Sequence, residues 1–368
     1  MGGTVGTRSA RRYRRARRLR SGKRGVVAVI GTLLALLVFF ALFGIFLTQY
    51  VPLWMTDNEA QFTNSAATSF AQFKGDIDSQ YALGLPPSLG TPFTISSGSV
   101  PLIAQPTEAP LSFLAQTCPG GFYAKGVLGY TTANWGQPVN PAYCIFENQS
   151  LSTGPGGSRA AFNLNAATGV LEMQLPNRYY TSETFLFEND GVIQTQSQGY
   201  QIMAFSPPFN VTRLAGNTTV SSSFLQLYGN ATTVIGQGSE EVYTHLRYTQ
   251  QIESNGKPVS ATNLTLRPFN YTFEVGTQFP CAWSSFLRAQ MNGSGLSYVA
   301  SPTWSATGPN TPSYNFSNPV GHAATMPYTG SCYNPTSVTT LLAVNLFQVN
   351  YATLFYAGVQ VNIGVGGI

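Results

Sequence analysis

Few groups in this chain could do chemistry. There are two histidines, His245 and His322. His245 lies in the alternating run Tyr-Thr-His-Leu-Arg-Tyr, where an imidazole on a strand face serves structure more readily than catalysis. His322 follows Gly321 in a loop and has no motif around it. No HExxH, GxSxG or GxxxxGK[ST] pattern occurs, so nothing signals a zinc protease, a nucleophile elbow or a phosphate-binding loop. Gly154-Pro155-Gly156-Gly157 lacks the lysine and the strand-to-helix setting of such a loop and reads as a turn. Carboxylates are the remaining candidates, because a glycosidase needs only two. Glu172, Glu183, Glu188, Asp190, Glu240 and Glu241 fall in β-patterned sequence and read as solvated strand faces. Glu188-Asn189-Asp190 gathers oxygen ligands of the kind calcium takes, but without EF-hand spacing it reads as a hairpin turn. The expectation is a non-enzymatic chain with no catalytic residue, metal ligand or cofactor.

Two other residue sets carry chemistry of a covalent kind. The four cysteines, Cys118, Cys144, Cys281 and Cys332, are even in number and form no CxxC, which favours disulfides over zinc. Three pairings are open; Cys118–Cys144 and Cys281–Cys332 are favoured because each closes a local loop. N-glycosylation sequons fall at Asn148, Asn210, Asn217, Asn230, Asn263, Asn270, Asn292 and Asn315, and none occurs before them.

The element that must position all of this is Val26 to Tyr50, 25 residues with no charge and one strongly polar side chain, Gln49. About 20 such residues cross the hydrocarbon core of a bilayer as a helix. Ten of the 19 basic residues precede it, from Arg8 to Arg24, with no acid among them. From Val26 onward there are nine basic and 14 acidic residues, so the net charge of +5 hides a basic leader on an acidic remainder. A basic cluster beside a membrane span is held on the cytoplasmic side and directs the chain beyond the span to the outside. That placement argues against nucleic acid as a partner. It makes the chain a single-pass protein of the cell membrane, with a cytoplasmic N-terminus, an extracellular C-terminal domain and membrane lipid as its first partner.

Charged residues make up only 9% of the chain, against about 25% in ordinary soluble domains. Aromatic and β-branched residues are plentiful, so the outer part reads as extracellular β-structure rather than disorder. Pro52 is expected to end or kink the membrane helix. Phe62, Ala66, Phe70, Phe73, Ile77 and Tyr81 then recur at spacings of three and four, which predicts a second helix over about 56–83. Asp57, Glu59, Lys74, Asp76 and Asp78 mostly take its other faces, and Gly84 with Pro86 and Pro87 supplies a stop. The aromatic face would rest on the outer domain, or on neighbouring subunits. Short alternating runs occupy 92–96, 100–104, 160–165, 169–175, 183–189, 191–196, 200–205, 219–229 and 240–248, with further long strands between Val338 and Val365 and one short helix at 282–291. The domain plan is a basic leader (1–25), a transmembrane helix (26–51), an amphipathic helix (52–84) and a β-rich extracellular region (85–368). The fold class is mainly β, with one or two antiparallel sandwiches.

Lys23-Arg24-Gly25 followed by Val26, Val29, Ile30 and Gly31 resembles the class III signal peptide of archaeal type IV pilin-like proteins. The resemblance implies cleavage between Gly25 and Val26 by a prepilin-type peptidase and a helix left at the new N-terminus. Ala28 stands where the archaeal pattern often has proline. Ile30 stands where bacterial pilins usually carry glutamate, which separates the chain from the bacterial type. Residues 177–211, 229–239 and 91–113 are similar to outer domains of haloarchaeal pilin-like surface proteins, and with the leader and the membrane helix they cover a third to a half of the chain. The implied role is structural, as a subunit beside other pilin-like subunits in a filament or as a monomeric surface protein. The rival is a permanently anchored ectodomain acting as adhesin or ligand-binding module.

Overall fold

The computed structural model describes residues 28–84, 88–99, 104–115, 146–153, 160–196, 199–214, 217–253, 269–277, 279–294, 303–305, 313–315 and 340–364. The chain enters them as one helix, α1 (Ala28–Leu83), 56 residues long. The sequence led us to expect a break at Pro52 and a separate second helix; the helix instead runs straight through. Its last turn before the proline opens into a π-helical turn, Phe46–Tyr50, in which the Val51 N–H donates to the Phe46 carbonyl. In a regular α-helix the proline ring would press on the carbonyl one turn back, and the wider turn relieves that clash without unwinding the helix. Leu83 is followed by Gly84 in the left-handed conformation (φ 62°), whose N–H caps the Gln80 carbonyl, so the expected stop is where the glycine stands.

Sixteen strands lie among the described residues. They are β1 (Leu89–Thr94), β2 (Leu111–Leu114), β3 (Phe146–Thr153), β4 (Ala160–Ala167), β5 (Val170–Leu175), β6 (Glu183–Glu188), β7 (Gly191–Gln196), β8 (Gln201–Phe205), β9 (Phe209–Leu214), β10 (Asn217–Tyr228), β11 (Thr232–Val234), β12 (Ser239–Glu253), β13 (Phe269–Thr277), β14 (Thr303–Ser305), β15 (Ser313–Asn315) and β16 (Thr340–Ile363). The short helix α2 (Pro280–Gly293) lies between β13 and β14. The strands form two sheets. The smaller runs β11-β2-β5-β6-β7-β8, and the larger follows β1-β12-β16-β13-β3-β4 with β9, β10, β14 and β15 attached.

The spine of the larger sheet is β16, a single strand of 24 residues where several were expected. One of its edges pairs antiparallel with β13 and then β12; the other pairs parallel with β15 and then β10. Val349 marks the two edges, since it pairs with both Thr218 and Phe269. The expectation of purely antiparallel sheets is corrected here. A parallel neighbour requires a long return connection, and the chain between Tyr228 and Thr340 supplies one.

Both faces of β10 and β16 are covered. Val220, Phe224, Ala352, Leu354 and Tyr356 belong to a core with α2, β9 and β13. Leu225, Leu227, Ala357, Val359, Val361 and Ile363 belong to a second core with α1, β1 and the smaller sheet. Neighbouring residues on a strand point to opposite faces, so the near-continuous apolar run of β16 is what burial on both sides requires.

The aromatic face of α1 packs on its own domain. Phe62, Ala66, Phe70, Phe73 and Ile77 are buried with Phe93, Phe113, Met173, Phe185 and Phe187. Phe70 lies edge-on to Phe93 at 5.1 Å and stacks on Phe185 at 5.9 Å; Phe73 meets Phe187 edge-on at 5.1 Å. This half of the helix is thus a structural part of the β-domain. Phe70→Ala should lower the domain's unfolding free energy by about 3–5 kcal/mol, while Gln61→Ala on the exposed face should leave it nearly unchanged. Denaturant unfolding followed by tryptophan fluorescence measures both.

Candidate functional site

The candidate functional feature of this structure is the junction at which α1 passes from exposed to buried. From Ala28 to Phe43 every residue is exposed, and none of the helix's most apolar window is buried by the rest of the protein. It is the one helix among the described residues long and apolar enough to cross a membrane. Burial begins at Val51 and Met55, which pack with Phe46 and Ala104. Polar contacts then fasten the helix to the domain at successive turns.

The most densely bonded of these is Glu59, which is 0% exposed. Its Oε1 accepts from the Thr107 hydroxyl (2.7 Å) and the Arg178 N–H (3.0 Å), and its Oε2 from the N–H groups of Tyr179 (2.7 Å) and Tyr180 (2.8 Å). Three consecutive amides make a concave anion site, and the helix supplies the anion. Burial pushes the Glu59 carboxyl up, but the Arg178 amide, the Thr107 hydroxyl and the Tyr179 and Tyr180 amides outweigh it and hold the group below the usual carboxylate range. Nearby, Asn177 donates to the Thr63 hydroxyl (3.1 Å) and to the Thr181 carbonyl (2.9 Å), which stiffens the same loop. Higher up, Ser69 donates to the Pro92 carbonyl (2.9 Å) and the Thr91 hydroxyl to Asp76 (2.6 Å). Gln80 donates to the Thr244 carbonyl (3.0 Å).

Between these contacts, Lys74 reaches the β6–β7 hairpin and pairs with Asp190 at 2.9 Å. The hairpin forms at the expected place. Asn189 (φ 48°) and Asp190 (φ 64°) fill the two positive-φ positions of its two-residue turn. Its environment is not the expected one, because Glu183, Glu188, Asn189 and Asp190 are buried, not solvated. Glu188 accepts from the Trp283 indole at 2.8 Å and is hydrogen-bonded by Thr277. Its Oε2 and both side-chain polar atoms of Asn189 have no hydrogen-bond partner among the described residues. Burial pushes Glu188 up to about 7, against the two hydrogen bonds that lower it. Burial likewise raises Asp190 to about 6, in spite of Lys74. The Tyr81 hydroxyl is pushed up by burial and by the Asp190 charge. Glu183 is held by Gln194 and Gln196 from the neighbouring strand. Of the remaining carboxylates, Glu172 and Glu240 are half-buried and Glu241 is exposed.

The covalent candidates are dispersed. Gly25 and Val26 lie outside the described residues, as do Cys118, Cys144, Cys332, Asn263 and His322. Cys281 opens α2 and is disulfide-bonded. Asn210, Asn230 and Asn292 are exposed; Asn148, Asn217, Asn270 and Asn315 lie on strands. His245 is half-buried on β12, and its Nδ1 has no hydrogen-bond partner among the described residues. Among the described residues no three His, Cys, Asp or Glu side chains converge as a metal site requires. On the helix, as on the hairpin, sequence reasoning misplaced a carboxylate: Glu59, assigned to the polar faces. It stands three residues before Phe62, in phase with the buried stripe, and that phase was the available signal. No protein-family model, curated protein or solved structure matches this chain.

The buried carboxylates give opposing pH responses. Glu59 is depressed in the folded state, so its contribution is present at neutral pH and lost as acid protonates it. Glu188 and Asp190 are raised, so the folded state holds protons that the unfolded chain releases, and stability falls as pH rises from about 4.5 to 7 and from 3.8 to about 6, respectively. Glu188→Gln should therefore be more stable than the wild type at pH 8 and little different at pH 4. Glu59→Ala should lose more than one charged hydrogen bond, about 1.5–3 kcal/mol, together with the acid limb of the profile. Urea midpoints across pH measure both effects.

Proposed function

We propose that this chain is a non-enzymatic cell-surface protein that holds a β-domain on a single membrane helix, exported and processed as a pilin-like protein. The observation that carries the reading is α1 itself: one uninterrupted helix, bare and apolar over its first half and built into a β-domain over its second. A helix of this design is stable in lipid and can leave it only when equivalent helices surround it. The ten positive charges before the span would keep the N-terminus cytoplasmic, and their removal would take away the groups most costly to draw through a bilayer. The β-domain would stand outside, where Cys118, Cys144, Cys281 and Cys332 can be oxidised and exposed sequons such as Asn210 and Asn230 can be reached.

The mature N-terminus tests this reading. In protein recovered from native membranes, peptide mapping should find the chain beginning at Val26, with the Arg8–Arg24 peptides gone. If those peptides stay attached, the pilin-like route is wrong and the protein is a permanently anchored ectodomain.

A further inference from the structure

Three backbone amides on one carboxylate are more than a loop needs to stay ordered, and what they hold in place is exposed. Arg178, Tyr179 and Tyr180 project their side chains into solvent while Glu59 takes their N–H groups; Tyr179 and Tyr180 are 44% and 40% exposed. The Thr56 hydroxyl touches the Tyr179 carbonyl at 3.4 Å, which fixes the height of the loop along α1. Thr56 is five residues beyond Val51, where the bare part of the helix ends, a rise of about 7.5 Å. The headgroup zone on each side of a bilayer is roughly 5–7 Å deep. On the same stretch of helix Tyr50, Leu53 and Trp54 are exposed, Trp54 by 45%. Asn58 reaches the Gly98 carbonyl (3.5 Å), and Ala104 packs on Val51 and Met55, so a second loop descends to this level.

We propose that the Arg178-Tyr179-Tyr180 loop is a second membrane contact, a foot that rests the β-domain on the lipid headgroups beside its own anchor. This inference rests on the membrane-anchor reading above. The chemistry fits a phospholipid surface. Tyrosine rings are amphipathic and settle at the boundary of polar and apolar layers, and tryptophan does the same on the helix beside them. Arg178 brings a planar guanidinium that matches a lipid phosphate, on a part of the chain that is otherwise net acidic. Glu59 sets the position of the foot: it neutralises no side chain, and it binds the loop's backbone so that all three side chains are free to face outward. With helix and foot both engaged, the domain meets the membrane at two places and loses the freedom to swing about the helix axis.

Depth-dependent quenching tests the foot. The full chain is reconstituted in phosphatidylcholine–phosphatidylglycerol nanodiscs, and a fluorescent amino acid is placed by codon suppression at Tyr180, Leu37 or Leu83, one site at a time. Leu83 stands about 48 Å along the helix from Val51 and serves as the distant reference. A nitroxide on the lipid headgroup should quench position 180 at least twofold and leave position 83 unchanged, while a nitroxide on the acyl chain quenches position 37. If position 37 is quenched and position 180 behaves like position 83, the helix is an anchor and the foot is refuted. If position 37 is also unquenched, the anchor reading fails and takes the foot with it.

Discussion

One helix is apolar on every side over its first half and on a single stripe over its second, and the rest of the structure depends on how the two halves join. Over its first half α1 carries apolar side chains all round, which suits lipid, where no face is privileged. Over its second half the apolar residues narrow to a stripe, because the other faces meet water and only one can be covered by the β-domain. The transition occupies little more than two turns. Phe46–Tyr50 widens into a π-turn, Pro52 is accommodated, and Val51 and Met55 are the first residues to be buried. Pro52 removes one rung of the backbone ladder there and the π-turn shifts another, yet the helix continues through both. Orientation of the domain relative to the apolar half of α1 is therefore a property of secondary structure, not of a linker.

The polar contacts along the junction divide into two kinds. Glu59 is charged and over-provided with donors, so it acts as a fixed pin between helix and loop. The β6–β7 hairpin is the reverse case. Glu188 and Asp190 are buried with fewer partners than their charge calls for: the Trp283 indole and Thr277 on the first, Lys74 and a long contact from Ser223 on the second. Trp283 belongs to α2 and Lys74 to α1, so the hairpin bridges the helices that flank the two hydrophobic cores. Burying such a pair costs stability that two apolar side chains would not. What it fixes is the register between the two helices and the hairpin lying between them.

Much of this was legible in the residues. The apolar run from Ala28 to Tyr50, the aromatic stripe from Phe62 to Ile77, the glycine stop and the short helix around Trp283 all formed where the residues point to them. Strands β4 to β8, β10 and β12 fell close to their alternating runs, because a half-buried strand writes its pattern directly, whereas β9 and β11 had no run to announce them. Proline misled: Pro52 reads as a breaker, but a π-turn one step earlier absorbs it, and no composition rule signals that. Four carboxylates, Glu59, Glu183, Glu188 and Asp190, misled as well. Charge is read as exposure by default, and only the tertiary packing of α1 and α2 over the hairpin removes water from Glu188 and Asp190. The parallel pairing of β10 with β16 was illegible for a related reason, since the chain that allows it separates the two strands by a long interval of sequence.

The central claim is that anchor and domain are one rigid helix. Hydrogen exchange of the α1 backbone, measured on the full chain in lipid nanodiscs, tests it most directly. A single helix predicts slow exchange from the π-turn through Thr56 and Glu59 into the buried stripe, without a gap at the membrane boundary. Fast exchange confined to residues 46–56, between two protected segments, would show a hinge there and contradict it.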